Sequence, residues 1–202
     1  QFTARALNTL LVVRSVVPPE DIVRAVVADA VFASGDWKAG MNLSGAFTQF
    51  TDSASMRLAN QIRLGYFEGK TTTQMVGLLR GLASNQYRDG QLALLAQSAE
   101  VMAKDAFQLA TGAGKLETLK ANDIDKYEWV SVLDDRTSTK CRALDSRVFT
   151  VGKGPLPPLH PRCRSTVAPV LPDRLKDELA DVGTRNTQEG PVDSGTSYYT
   201  WL

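Results

Sequence analysis

Apolar side chains recur at intervals of three and four residues through the first hundred or so positions. This spacing places side chains on one face of an α-helix. The longest such run extends from Leu43 to Glu68. Its apolar positions are Leu43, Phe47, Phe50, Ala54, Leu58, Ile62 and Tyr66. The pattern predicts one long helix with an apolar stripe along it.

Two shorter helices are predicted on either side of this run. One follows Pro18 and Pro19, has an acidic first turn, and ends before Gly35. The other begins at Thr71, because a threonine followed three residues later by Gln74 forms a capping box.

A second long helix is predicted in residues 89–114, where it ends at Gly112 and Gly114. Four or five helices with short connections indicate an antiparallel bundle or extended helical hairpins.

The pattern changes after Gly114. Residues 127–137, 147–155 and 164–171 are short, rich in β-branched and aromatic side chains, and bounded by turn-forming residues. They predict two or three strands of a small β-containing module. Beyond it, residues 173–181 form a short charged helix candidate. Residues 182–197 are polar with glycine and proline, which is typical of a linker.

The predicted fold class is therefore α+β: a mainly helical N-terminal part, a small C-terminal β-containing module and an extended tail. The corresponding domains are residues 1–114, 115–172 and 173–202. The tail ends in an aromatic cluster that we expect to dock, since it would otherwise expose a large apolar area. The cluster consists of Tyr198, Tyr199, Trp201 and Leu202.

Composition narrows the function classes only slightly. The 202 residues carry 23 basic and 22 acidic side chains, so no net field favours nucleic acid or an anionic membrane. No apolar run approaches the roughly 20 residues that a membrane-spanning helix needs. We therefore expect no membrane partner.

The chain has two cysteines and one histidine, which lie close together in sequence as Cys141, His160 and Cys163. Zinc accepts this set of side chains, but a structural zinc site has four ligands. The fourth ligand would have to come from Asp134, Asp135 or Asp145.

Three other interpretations of these residues remain open. The thiols could be small buried side chains with His160 as a hydrogen-bonding turn residue. A Cys141–Cys163 disulfide is conceivable, although a reducing cytoplasm disfavours it. A cysteine nucleophile would need His160 as its base, with Asp134 to orient that base.

The stretch from Asp134 to Thr137 also predicts a polar clasp. The guanidinium of Arg136 can pair with a carboxylate, and Asp134 can accept hydrogen bonds from the backbone of a turn. We expect these two side chains to hold the module together rather than to catalyse a reaction.

The order of these residues resembles the C-terminal motif of the phage head morphogenesis family, the minor head proteins similar to protein F of phage Mu. The resemblance covers about forty residues, from "WVSVLDDRTSTKC" to "PPLHPRCRST". Outside the cysteines and histidine, its structural frame is Trp129, Asp134, Arg136, Thr137, Asp145, Pro161 and Arg164.

This chain departs from the family pattern at two places. Ser146 stands where the family usually has glycine, which predicts a different turn. Ser138 and Ser165 stand where some members carry extra cysteines, so that only Cys141, His160 and Cys163 remain as candidate zinc ligands.

The resemblance implies a structural protein and not an enzyme. Such proteins act inside the capsid, near the portal, in head assembly or genome delivery, and are made in the host cytoplasm. The expected partners are the portal protein and a capsid or scaffold protein. The aromatic tail, Tyr198, Tyr199, Trp201 and Leu202, supplies side chains typical of binding hot spots.

An alternative is a DNA-binding accessory protein of the virion. The β-containing module is locally basic, and non-specific DNA is then a partner whose binding would weaken with salt. The candidate contacts are Lys140, Arg142, Arg147, Lys153 and Arg162.

Overall fold

The computed structural model describes residues 16–32, 40–172 and 183–202. The short helix predicted at residues 173–181 lies outside them. Four helices come first: α1 (Glu20–Asp29), α2 (Leu43–Phe67), α3 (Thr72–Arg80) and α4 (Gln91–Ala121), with a 3₁₀ turn at Ala83–Asn85. None of the described helices is both long enough and apolar enough to cross a membrane.

The chain forms two compact units. One consists of Leu43–Ala106, and the other combines Gln1–Asn42 with Phe107–Leu202. The helix α4 begins in the first unit and ends in the second. The division into three domains at residues 114 and 172 stays a prediction.

The helix α2 confirms the predicted long helix, but its apolar stripe is partly misplaced. Ala46 and Gly65 are its buried residues. Phe47, Ile62 and Tyr66, which the pattern placed on the packed stripe, are exposed. The small residues are buried because they admit close approach; a Cβ on Gly65 would lie 2.1 Å from the side chain of Met75 in α3.

The predicted start of α3 is confirmed. Thr71 accepts from the backbone N–H of Gln74, and the Gln74 side chain accepts from the backbone N–H of Thr71. The predicted end of α4 is wrong, because the helix continues through Gly112 and Gly114 to Ala121. A Cβ on Gly112 would lie 3.0 Å from the side chain of Leu156, so this glycine serves packing and not termination.

The three predicted β segments form one antiparallel sheet. Its strands are β1 (Lys126–Val130), β2 (Val148–Thr150) and β3 (Thr166–Pro169), in the order β2-β1-β3. Trp129 lies opposite Val167 in the register of β1 and β3. The short helix α5 (Thr139–Leu144) lies between β1 and β2 along the chain.

Two apolar clusters stabilise this module. Tyr127 and Val167 pack with Leu119 of α4 and with Ile124 in the turn that follows it. The second cluster is the one that positions the candidate site, and its buried members are Trp129, Cys141, Leu159 and Cys163. The α+β fold predicted from the sequence is confirmed.

The polar linker predicted at residues 182–197 is wrong in its described part. Strands β4 (Thr184–Thr187) and β5 (Gly190–Asp193) pair as a hairpin, and the one-turn helix α6 (Tyr198–Trp201) follows. The segment is polar because it contributes hydrogen-bonding groups, chiefly Arg185, rather than apolar side chains to the module.

Ser146 takes a left-handed conformation with φ of 62°. Its backbone N–H donates to the carbonyl of Trp129 at 2.9 Å. Glycine adopts this conformation without strain. The serine therefore has a backbone that glycine would also adopt, and a different turn from that of the family stays a prediction.

Candidate metal centre

Two local structures bring the cysteines and the histidine together. Cys141 lies in α5, whose first turn is capped by Ser138: the Ser138 hydroxyl accepts from the backbone N–H of Cys141 at 3.3 Å. His160 and Cys163 lie in the turn before β3, where the N–H of Cys163 donates to the carbonyl of His160 at 3.1 Å. Both thiols are buried.

The ligand atoms of these residues lie close enough together to share a metal ion. The two Sγ atoms lie 3.8 Å apart, and Cys141 Sγ lies 3.2 Å from His160 Nε2. All three atoms lie within 4.8 Å of one another. A tetrahedral zinc with Zn–S bonds of about 2.3 Å separates two sulfurs by about 3.8 Å. The separation of the two sulfurs therefore fits a zinc ion.

A carboxylate does not complete this cluster, contrary to the expectation for a fourth ligand. Asp134 and Asp145 are buried in clasps with arginines, and Asp135 is exposed beside Gln188. Within the described residues, one group of histidine, cysteine or acidic side chains lies close enough to bind a metal ion. It consists of Cys141, His160 and Cys163.

The two thiols are free. Their sulfurs share a hydrogen bond, which lowers the pKa of the Cys141 thiol and raises that of Cys163. One sulfur thus ionises readily while the other holds its proton, and a metal ion would displace that proton. The cysteine-nucleophile interpretation loses its orienting carboxylate, because His160 Nδ1 contacts the carbonyl of Pro161 at 2.9 Å and Asp134 is bound elsewhere.

The predicted clasp exists, but its arginine is Arg164 and not Arg136. Both guanidinium nitrogens of Arg164 donate to the Asp134 carboxylate, at 2.5 and 2.7 Å. The side chain of Arg136 is 84% exposed and lies 3.8 Å from the carboxylate. Hydrogen bonds from Arg164 above all, with one from Thr137, lower the pKa of Asp134 to about 2.

A second clasp joins Asp145 to Arg185, a residue that sequence reasoning missed. The nitrogens of Arg185 reach the carboxylate at 2.7 and 3.2 Å. The same carboxylate accepts from the backbone N–H groups of Ser131 and Tyr198, both at 2.7 Å. The only sequence signal was an arginine within a polar segment, which does not distinguish a buried partner from a solvated one.

Other members of the predicted frame are also in place. Trp129 Nε1 donates to Ser131 Oγ at 3.0 Å, and Thr137 Oγ1 donates to the carbonyl of Val132 at 2.6 Å. These bonds connect β1 to the turn before α5. The frame holds the walls of the candidate metal centre.

A small cavity of about 10 Å³ opens beside the cluster. Cys141 and His160 form one wall of it. The remaining lining residues all carry hydrogen-bond donors, and they are Arg136, Thr137, Ser138, Arg162, Arg164 and Ser165. Ser138 and Ser165, where some family members carry cysteine, thus lie next to the candidate ligands.

The aromatic tail is only partly available to partners. Tyr198 is fully buried within this chain, and its hydroxyl donates to the carbonyl of Asp134 at 3.0 Å. It therefore anchors the tail rather than contacting a partner. Trp201 is half-buried against Tyr198, while Tyr199 and Leu202 are exposed.

The basic residues predicted to contact DNA do not act as one group. Arg142 donates to the carbonyls of Thr137 and Asp135 and stacks over the ring of Tyr198, so it is part of the fold. Arg147 lies over the ring of Phe149. Lys140, Lys153 and Arg162 are exposed.

Fold and site together define an α+β protein whose small antiparallel module is held by two buried carboxylate–arginine clasps around a candidate metal centre. Residues 59–168, more than half of the chain, match the family model described as Phage Mu protein F like protein. The chain belongs to this family of phage head morphogenesis proteins. Neither the curated proteins nor the solved structures include a significant match.

Proposed function

We propose that this chain is a minor structural protein of a tailed-phage head, located inside the capsid near the portal. It acts in head assembly or genome delivery by contacting the portal protein and a capsid or scaffold protein, and it catalyses no reaction. It is made in the host cytoplasm and assembled there. Family membership is the observation that carries this proposal.

The exposed apolar residues of the helical unit support a role in protein contacts. Tyr66 and Phe67, at the end of α2, are 81% and 77% exposed and pack edge to face against each other. Met56 of the same helix is 64% exposed. Side chains of this size, exposed together, are typical of interaction surfaces.

The location is tested by protease protection in purified virions. A capsid-interior protein is resistant in intact heads and is cleaved after the heads are opened by osmotic shock, whereas cleavage in intact heads contradicts the proposal. Contact with the portal is tested by co-purification with the Tyr66→Ser, Phe67→Ser double variant. We expect loss of the complex, with the exposed Phe107→Ser variant as a matched control.

We also propose that the cluster of Cys141, His160 and Cys163 binds zinc in a structural role. The ion would connect α5 to the turn before β3. Here these segments are joined by weak hydrogen bonds to sulfur and by a hydrogen bond of 2.9 Å between Ser138 Oγ and His160 Nε2. Metal analysis of the purified chain should give about one zinc per chain.

Cys141→Ser and Cys163→Ser should each abolish zinc binding and lower the unfolding temperature. Thr139→Ser, in the same helix, leaves the candidate ligands intact and is the matched control. A metal-free chain with both thiols titratable and the same unfolding temperature would leave the cluster as a hydrogen-bonded frame.

A further inference from the structure

The cavity beside the cluster indicates which kind of ligand would occupy the fourth coordination position of the metal. The protein supplies three ligands within the described residues, and both clasp carboxylates are committed to arginines. Zinc sites with three protein ligands keep an open position for a solvent molecule or another ligand. Both cysteines pack into the apolar cluster with Trp129 and Leu159, but Cys141 and His160 also line the cavity, and Cys163 does not. The open position therefore faces the cavity.

The size of this cavity limits the group that enters it. A volume of about 10 Å³ admits about one water-sized atom. A ligand can therefore insert a single oxygen and must keep its remaining atoms outside. Outside lies the largely exposed side chain of Arg136.

The lining determines the charge of that group. Apart from Cys141 and His160, the described residues that line the cavity contribute three guanidinium groups, three hydroxyls and no carboxylate. Guanidinium groups bind oxyanions through charge-assisted hydrogen bonds. Zinc with two thiolates and a neutral histidine has no net charge, and Asp134 balances the charge of Arg164. The positive charge of the pocket therefore comes from Arg136 and Arg162.

From this geometry we propose that the metal centre is an open site whose fourth position takes the terminal oxygen of a small oxyanion, with phosphate as the probe. This inference rests on the proposed metal site. It goes beyond it because a closed structural site binds no exogenous ligand.

Cobalt substitution tests the inference and the metal site separately. Cobalt bound by two thiolates gives sulfur-to-metal charge transfer, and an exchangeable fourth ligand shifts its visible d–d bands. We expect inorganic phosphate to shift these bands with saturation, while perchlorate at equal ionic strength does not. Without charge transfer the metal site itself fails. Charge transfer with d–d bands that ignore phosphate overturns only the open site.

Two variants of equal charge change test the arginine. Arg136→Gln should raise the apparent phosphate dissociation constant about two- to fivefold, the size of an exposed ion pair. Lys153→Gln, which removes an exposed charge that does not line the cavity, should leave it unchanged. Equal effects of both variants would mean general electrostatics and would overturn the assignment of the cavity.

The phosphate group has two sources in a virion, the free anion and the ends of DNA. An oligonucleotide with a 5′-phosphate and the same one without it distinguish them. A shift of the cobalt d–d bands with the phosphorylated oligonucleotide, and not with the other one, would mean that the site also binds the ends of DNA. A shift with inorganic phosphate alone restricts it to the free anion, and a shift with the unphosphorylated form contradicts recognition of a terminal oxygen.

Discussion

Replacement of Arg185 by methionine tests the larger of the two clasps. Methionine has a similar length but donates no hydrogen bond. The change leaves the Asp145 carboxylate buried with two backbone N–H donors and no positive charge. It also removes the donors to the carbonyls of Ser131, at 2.6 Å, and Thr196, at 2.5 Å.

The expected loss follows from burial. The side chains of Arg185 and Asp145 are 8% and 0% exposed, so solvent cannot replace the missing partner. Removal of one member of such a pair lowers the free energy of unfolding by about 3–5 kcal/mol. For a chain of this length, each kcal/mol lowers the unfolding temperature by about 2–4 °C.

The assay is equilibrium urea unfolding followed by near-ultraviolet circular dichroism and by fluorescence of the buried Trp129. Arg24→Met is the matched control, because Arg24 pairs with Glu20 at 2.6 Å on an exposed face of α1. That variant should lose about 0.5 kcal/mol or less. Equal losses for the two variants would refute the argument that burial determines the value of the Asp145 clasp.

A double-mutant cycle separates the pair from its surroundings. Asp145→Asn keeps an oxygen for the backbone donors of Ser131 and Tyr198 while removing the charge. Combined with Arg185→Met, it should lose less than the sum of the single changes, by about 1–3 kcal/mol. Additive losses would show that the two side chains do not stabilise each other.

Three further predictions concern acid stability and glycine packing. The Asp134 carboxyl has a pKa of about 2, against 3.8 when it is unpaired. Above pH 4 this difference adds on the order of 2 kcal/mol to the free energy of unfolding. This stability is lost as the pH falls through 2. Urea unfolding between pH 5 and pH 2 should show this loss, and Arg164→Gln should flatten it; an unchanged slope would contradict the clasp. Gly154→Ala places a Cβ 2.3 Å from the hydroxyl of Tyr127 and should cost about 1–3 kcal/mol, measured by the same unfolding. Gly77 lies in α3, and a Cβ there would have its nearest contact at 3.8 Å, with the side chain of Leu82. Gly77→Ala should therefore stabilise by about 0.5–1 kcal/mol, and a loss there would mean that helix packing is tighter than the structure shows.

Local patterns predicted the helices and strands because their causes lie within a few residues. The capping box of Thr71 and Gln74 and the β-branched and aromatic residues around Trp129 are examples. The end of α4 could not be predicted in this way. A glycine at the end of a helical pattern predicts that the helix stops. Only the close approach of Gly112 to Leu156, which lies far along the chain, shows that this glycine serves packing.

The candidate site was predicted in its residues and missed in its pairings. The sequence indicated Cys141, His160 and Cys163 because they are the two cysteines and the one histidine of the chain. Arg136, two residues away, was expected to pair with Asp134. The partner is instead Arg164, which reaches the carboxylate from the turn before β3, across the module. Arg185 lies forty residues from Asp145 in a segment with hardly any apolar residues, so no local pattern indicates its burial.

The position of Arg185 has a consequence for the order of synthesis. A ribosome makes β1, β2, β3, α5 and both cysteines before it makes Arg185, the residue that neutralises Asp145. Until Arg185 and then Tyr198 leave the exit tunnel, the buried carboxylate has neither its cation nor one of its backbone donors. The module is therefore complete only after its C-terminal residues have been made. Nascent chains that stop before residue 185 should be cleaved by a protease that the released protein resists.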